Sequence, residues 1–210
     1  VGVIVSTEGK KSREIVQHGI EALKAVWHRG AVDADGKTGD GAGIHVEIPK
    51  DFFIEKIEVT GHDYDNSEIC VGMIFLPRND YSSQENCKTI VESELTKNNF
   101  SIYGWRQVPV NPKVLGEKAL QTMPEIIQVL FKSNDPNLLN KELERKIYES
   151  RKKIENKAIS LSLNNFYICS ISSKSIIYKG MFLAEAISDF FLDLKDKRFI
   201  SRYAIFHQRF

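Results

Sequence analysis

Cysteine is scarce in this sequence, and its scarcity excludes several classes of protein at once. The three thiols, Cys70, Cys87 and Cys169, are odd in number, far apart and without a CxxC pair, which argues against a disulfide-stapled scaffold or a zinc ribbon and for reduced thiols. An excess of charge of one sign is also missing. The 29 basic and 28 acidic residues nearly cancel, so no overall field draws the chain to nucleic acid or to an anionic membrane, and partners must be read from local sites. No apolar run approaches the ~20 residues that span a bilayer, and Val1–Lys10 lacks the basic region and long apolar stretch of a signal peptide. These absences predict a cytoplasmic protein. Nor does any repeat, low-complexity tract or linker divide the 210 residues, so a single domain over 1–210 is expected. The 42% hydrophobic content suits an ordinary core.

The most unusual stretch runs from His28-Arg29-Gly30-Ala31 into Asp35-Gly36-Lys37-Thr38-Gly39-Asp40-Gly41-Ala42-Gly43. Five glycines in fourteen residues, mixed with cations, anions and a hydroxyl group, permit close backbone approach of the kind found in loops beside active sites. On either side of it the chain reads as alternating strands and helices. Val1–Val5 reads as a buried strand; Ser12 caps a helix to about Trp27; 43–48 is a strand stopped by Pro49; and 51–59 is a short helix. Further on, 61–67 is a surface loop, 69–76 a core strand, 82–97 a helix and 100–110 a strand, and 126–131 follows as another strand. The clearest helix runs from about Asn137 to Ala158, with Leu139, Leu143, Ile147, Ile154 and Ala158 on one face and the basic run Arg151–Lys153 on the solvated one. Residues 166–171 and 175–178 read as a hairpin about Ser172-Ser173-Lys174, followed by a helix at 183–194 and a strand at 202–206. The recurring order predicts a layered α and β fold.

Candidate chemistry is thin when taken residue by residue. Gly36-Lys37-Thr38 lacks the upstream glycine of a phosphate loop, so the stretch reads better as a structural loop in which Asp33, Asp35 and Asp40 bond to nearby backbone N–H groups. The five histidines, His18, His28, His45, His62 and His207, make no helix-spaced pair with an acid, so no metal site is predicted. Cys70 and Cys169 sit in apolar strands and Cys87 on a polar helix face; all three read as noncatalytic. Arg209, at the end of the last strand, can receive a carboxylate bidentately or pair within the protein.

Taken together, these blocks resemble a known family. His28-Arg29-Gly30-Ala31, Lys37–Ile44, Ile48-Pro49 with Phe52-Phe53, Gly72-Met73 through Leu76-Pro77, Gly104-Trp105-Arg106, Val108-Pro109-Val110, Tyr178-Lys179-Gly180-Met181 and His207-Gln208-Arg209-Phe210 occur in order along the chain. They are similar to the class II glutamine amidotransferase domain at the N-terminus of the glutamate synthase large subunit. The resemblance implies an α+β fold of the N-terminal nucleophile hydrolase type, a four-layer αββα sandwich, here incomplete. It also implies a nucleophilic cysteine whose own α-amino group is the general base. The family begins Cys-Gly-Val-Gly, and aligning Val1-Gly2 with the second half of that motif places the cysteine two positions before Val1. Likewise the Asn-Gly oxyanion donors are expected after Phe210, so the chain is expected to be a fragment.

By the same resemblance, Arg209 and Phe210 bind the substrate glutamine, and Arg29 and Gly30 support the site. FMN and an iron–sulfur cluster belong to the synthase part of the same polypeptide, with an electron-donating subunit or ferredoxin as partner. A noncatalytic amidotransferase-like binding or assembly module is the competing expectation. Codons for Cys-Gly directly before Val1, and for Ser-Thr-Asn-Thr after Phe210, separate the two. The 210-residue chain is expected to release no glutamate from glutamine, and the chain extended by those segments to release it; glutamate production by the unextended chain overturns the fragment expectation.

Overall fold

The computed structural model describes residues 1–209. In chain order these form strands β1 (Gly2–Val5), β2 (Ala42–Glu47), β3 (Cys70–Leu76), β4 (Phe100–Gln107), β5 (Glu125–Ser133), β6 (Tyr167–Ser172), β7 (Ser175–Gly180) and β8 (Tyr203–His207). The helices are α1 (Arg13–Ala25), α2 (Lys50–Val59), α3 (Tyr81–Lys97), α4 (Glu117–Gln121), α5 (Asn140–Ser160) and α6 (Ile187–Phe190). The strands make two four-stranded sheets, ordered β1-β8-β2-β7 and β4-β5-β3-β6. The residues fall into two compact units, one of 1–52, 108–123 and 177–209 and the other of 53–107 and 124–176.

In the first unit β8 is the inner strand that ties the sheet together. It pairs antiparallel with β1 through Gly2↔Phe206 and Val5↔Tyr203, and with β2 through Gly43↔His207 and Val46↔Ala204. Helix α1 begins where expected, with the Ser12 hydroxyl accepting the Ile15 N–H at 3.3 Å, which satisfies one of the orphan donors of the first turn. Val16, Ile20 and Leu23 are buried along its inner face against the sheet, each such side chain contributing about 1.5–3 kcal/mol by leaving water.

Glu47, nearly inaccessible at the end of β2, fastens the entry to β8. Its carboxylate accepts from Arg202 N at 2.6 Å, Nε at 3.0 Å and Nη2 at 2.6 Å, with Lys11 Nζ at 3.6 Å. The Tyr178 hydroxyl donates to Asp193 at 2.9 Å, both groups buried, beneath an edge-to-face cluster with Phe191 and Phe199.

The second unit is built on β3 and β5, the inner strands of its sheet. Cys70, Ile74 and Leu76 of β3 and Ile127, Val129 and Phe131 of β5 form one core with Ile90, Val91 and Leu95 of α3 and Leu143, Ile147 and Ile154 of α5. On the opposite face of the same strands Val71, Met73, Gln128 and Leu130 are buried as well, which is why these segments read as continuous apolar runs instead of alternating.

Several expectations are corrected. Val1–Val5 is not buried: Val1, Val3 and Val5 are more than half exposed, because exposure alternates along β1 and Val3 lies on the face of the exposed Ile205, opposite the face that α1 covers at Ala204 and Ile44. Cys87 is not on a polar face; it is buried in the core beside Ile90 and Val91. Leu139 stays exposed as the residue before α5, which starts at Asn140.

The hairpin expected across Ser172–Lys174 is absent, since β6 is an edge of one sheet and β7 an edge of the other. The turn is tied down by side chains: Ser172 Oγ accepts from Lys174 N and Ser175 N, and Glu144 accepts from Ser172 Oγ, Ser173 N and Ser173 Oγ. The helix expected at 183–194 is broken at Phe191, which takes an extended conformation and bridges Val110. Asn111 N donates to Phe190 O, and Leu192 N to Pro109 O.

Of the basic run of α5, Lys152 and Lys153 are exposed as expected, while Arg151 is half-buried. Arg151 bonds Glu155 and the Ile168 carbonyl, Lys152 bonds Glu155, and Lys153 bonds Asn98.

Two measurements test these fastenings. Burial raises the Glu47 pKa, but hydrogen bonds from Arg202 and the Lys11 charge outweigh it and hold the carboxyl below its ordinary value. A depressed folded pKa contributes stability above the unfolded value and loses it as pH falls through the folded one. Glu47→Gln is therefore expected to cost about 1–3 kcal/mol at pH 7 in denaturant unfolding, with the gap to the parent closing as pH drops below the usual carboxylate range.

Gly116 precedes α4, and a Cβ there would lie 2.2 Å from Asp35 Oδ2, 2.3 Å from Thr38 Oγ1 and 2.6 Å from Thr38 N. Gly116→Ala is expected to destabilise by about 1–3 kcal/mol through overpacking, measured as a lowered unfolding midpoint.

Candidate functional site

The glycine-rich stretch folds as a loop held by its own carboxylates. After α1 the chain makes a single 3-10 turn, Trp27–Arg29, whose last N–H bonds back to Val26. Val32 then bridges Gly39, and Asp33 N donates to Thr38 O at 2.9 Å, so residues 32–39 double back on themselves.

Inside that turn Asp33 Oδ1 accepts from Ala34 N, and Asp35 Oδ1 accepts from both Lys37 N at 2.9 Å and Thr38 N at 2.7 Å. Asp35 Oδ2 accepts from the Thr38 hydroxyl, whose oxygen in turn accepts from Ala119 N. These bonds hold the Asp35 carboxyl well below the usual carboxylate range, the Thr38 hydroxyl being the largest cause. The side chains supply the partners that a regular element would supply through backbone. Most of 31–37 is exposed, while Thr38 and Gly39 are buried, so the expected structural loop is present, with its burial confined to its second half.

The end of β8 closes against this loop. Asp40 Oδ1 accepts from Ala31 N at 3.0 Å, and Asp40 Oδ2 stands 3.1 Å from Arg209 Nε. That second approach is a charge contact: Oδ2 is enclosed and has no aligned hydrogen-bond donor among the described residues. Gly30 is where the loop comes closest. A Cβ on it would lie 2.2 Å from Gln208 Nε2 and 3.2 Å from Asp40 Oδ1, so any larger residue here would have to displace the Gln208 side chain.

Gln208 is 6% exposed, and neither atom of its amide has a partner among the described residues. His207 lies opposite Gly43, and burial together with the Lys179 charge lowers its pKa, favouring the neutral ring. Arg209 has φ 149, a backbone region that L residues rarely adopt and that clusters at functional positions.

Of the residues singled out by sequence, Arg209 and Gly30 are thus brought into one site, bridged by Asp40. Arg29 lies on the neighbouring 3-10 turn with its side chain exposed and in no ion pair among the described residues. Phe210 lies outside the described residues. The blocks around Gly72 and Gly104 are in the other compact unit, where Trp105 Nε1 donates to Glu92 and Arg106 to Gln128.

Asp40 and Gln208 were not singled out as site residues. The sequence predicts local backbone bonds for Asp40, and one oxygen makes such a bond to Ala31 N, while the other meets Arg209 far along the chain, a pairing with no local trace in sequence.

Chemically the site offers a guanidinium that is 72% exposed, able to take an anion on its free fork. It offers no competent thiol. Burial raises Cys70 well above its ordinary pKa and Cys87 to about 11, which suppresses the thiolate that nucleophilic attack requires. Among the described residues no group of three His, Cys, Asp or Glu could hold a metal ion, and no helix is long and apolar enough to cross a membrane.

The family model for class-II glutamine amidotransferases matches residues 1–210. The chain is 51% identical over 210 residues to the glutamate synthase [NADPH] large chain of Azospirillum brasilense, 38% identical over 212 residues to the ferredoxin-dependent glutamate synthase 1 of Arabidopsis thaliana, and 35% identical over 211 residues to the ferredoxin-dependent glutamate synthase 2 of a Synechocystis species. Each match covers 100% of this chain, which spans 13–14% of the length of these relatives. The two antiparallel sheets with six helices are consistent with the N-terminal nucleophile hydrolase type of this family. The family model runs through both the glycine-rich loop and the His207–Arg209 strand end that meet in the structure, and the chain belongs to the class-II glutamine amidotransferases.

Proposed function

We propose that this chain is part of the glutamine-hydrolysing domain of a glutamate synthase large subunit, with the αββα fold type of the N-terminal nucleophile hydrolases. The observation that carries the reading is the register of β1 on β8. Gly2 faces Phe206 and each step toward the N-terminus moves one residue further along the partner strand. A cysteine two residues ahead of Val1 would extend β1 toward the end of the sheet at which Arg209 follows the bend at Gln208, just beyond β8. A terminal nucleophile and a carboxylate-binding guanidinium would then share one end of one sheet.

In this reading the Arg209 fork receives the α-carboxylate of glutamine and fixes the side chain toward the thiol. The α-amino group of the cysteine takes the thiol proton, and the sulfur attacks the amide carbon. The C–N bond breaks with the proton passing to the leaving ammonia, and water then cleaves the thioester to give glutamate. Arg29 and Gly30 support the wall of the site, and the oxyanion donors belong to sequence beyond Phe210.

The ammonia passes to the synthase part of the polypeptide for addition to 2-oxoglutarate. FMN and an iron–sulfur cluster supply the electron transfer there, and none of the residues described here is assigned to hold them. The relatives' names include both NADPH and ferredoxin forms, so either an NADPH-oxidising subunit or ferredoxin fits as donor. Three buried reduced thiols suit the cytoplasm.

Arg209→Lys in the full-length gene product tests the assignment, because a point cation replaces a planar fork. The KM for glutamine is expected to rise about tenfold or more, with kcat changed much less. An unchanged KM in steady-state ammonia release gives Arg209 another role.

A further inference from the structure

Asp40 is the residue through which the glycine-rich loop reaches the strand end, and it does so with both carboxylate oxygens. Oδ1 accepts the Ala31 N–H at 3.0 Å, one residue beyond Gly30, while Oδ2 stands 3.1 Å from Arg209 Nε. The two side chains differ in exposure: Asp40 is 24% exposed and Arg209 72%. The acid is therefore mostly enclosed behind a cation whose tip is open.

The choice of nitrogen matters. Nε lies on the stem side of the guanidinium, so an acid placed there leaves the two Nη groups facing outward as the planar fork that grips a carboxylate. Oδ2 has no aligned donor among the described residues, so the contact is one of charge, and at 3.1 Å it lies on the Nε side of the guanidinium. The φ of 149 at Arg209 adds a reason for such a tether, since a backbone in a sparsely populated region persists only where surrounding contacts hold it.

We infer that Asp40 is a positioning residue for Arg209: it holds the guanidinium by its Nε side against the loop at Ala31, so that both Nη groups face the incoming α-carboxylate. The inference rests on the glutaminase reading above. It separates Asp40 from the other loop carboxylates, Asp33 and Asp35, whose partners all lie within the loop and α4. It also makes Asp40 an aid to substrate binding and not a competitor for Arg209.

The test is ammonia release from glutamine by the full-length protein, its Asp40→Asn and Arg209→Gln variants and the double variant. Asp40→Asn is expected to raise KM about tenfold, the effect of one charge-assisted contact, with kcat within about twofold. In the Arg209→Gln background, where no guanidinium remains to be placed, the same change is expected to alter kcat/KM by less than about twofold.

A KM that is unchanged or lowered by Asp40→Asn overturns the inference, and so does an effect that multiplies in full with Arg209→Gln, which marks a loop-stability role. If the Asn variant does not fold, Asp40→Glu keeps the charge but shifts it by one methylene, and its effect on kcat/KM must again vanish beside Arg209→Gln. A parent protein that releases no ammonia from glutamine overturns the underlying glutaminase reading instead.

Discussion

Strand β8 carries the constraint on which the candidate site depends, because it is paired on both edges. Antiparallel pairing with β1 and β2 leaves it no freedom to slip, since a shift of one residue would exchange the faces of Ala204 and Phe206, which are buried, with that of Ile205, which is not. Fixing β8 fixes the place of His207, Gln208 and Arg209 just beyond it. Glu47 secures the other end by gathering the backbone and side chain of Arg202 onto one buried carboxylate. The site is thus positioned by regular structure, although the residues that compose it lie in irregular chain.

Carboxylates do most of the fastening where backbone pairing stops. Asp35 organises the turn that includes Gly36 and Thr38, Asp40 spans from the loop to β8, and Glu144 closes the turn between β6 and β7. In the second unit Asp65 plays the same part, accepting from Tyr103 and pairing with Lys132 in a loop that looked featureless. Each replaces a missing ladder partner with an acceptor of high charge density, which suits stretches too rich in glycine to form helix or strand. The glycines supply the complementary half, admitting backbone where a side chain would collide, as at Gly30 against Gln208 and Gly116 against Asp35 and Thr38.

This division of labour changes the meaning of the His28–Gly43 stretch. Its glycine density suggested a ligand loop, yet nearly all of its polar atoms with a partner bond within the first unit, to neighbouring backbone or to α4. In the proposed function its part is to form a wall of the site and to hold Arg209. The other family blocks are distributed similarly, with Tyr178 in the aromatic core and Arg106 bonded to Gln128. Blocks that identify the family therefore mark packing as often as chemistry.

The elements with strong local signals were legible from the chain. Ser12 and the spacing of Val16, Ile20 and Leu23 specify α1, and the long amphipathic face of α5 and the apolar runs of β3 and β5 likewise follow from propensity and periodicity. The family blocks were legible too, because residue identity alone carries them. Partnership was not. Whether β1 lies at an edge, whether β6 and β7 pair, where Phe191 interrupts a helix and which acid meets Arg209 all depend on contacts between segments far apart in the chain. A local pattern measures how a residue suits a helix, a strand or a core; it holds no record of the segment that arrives on its other side, and the pairing of Asp40 with Arg209 exists only once β8 is in place.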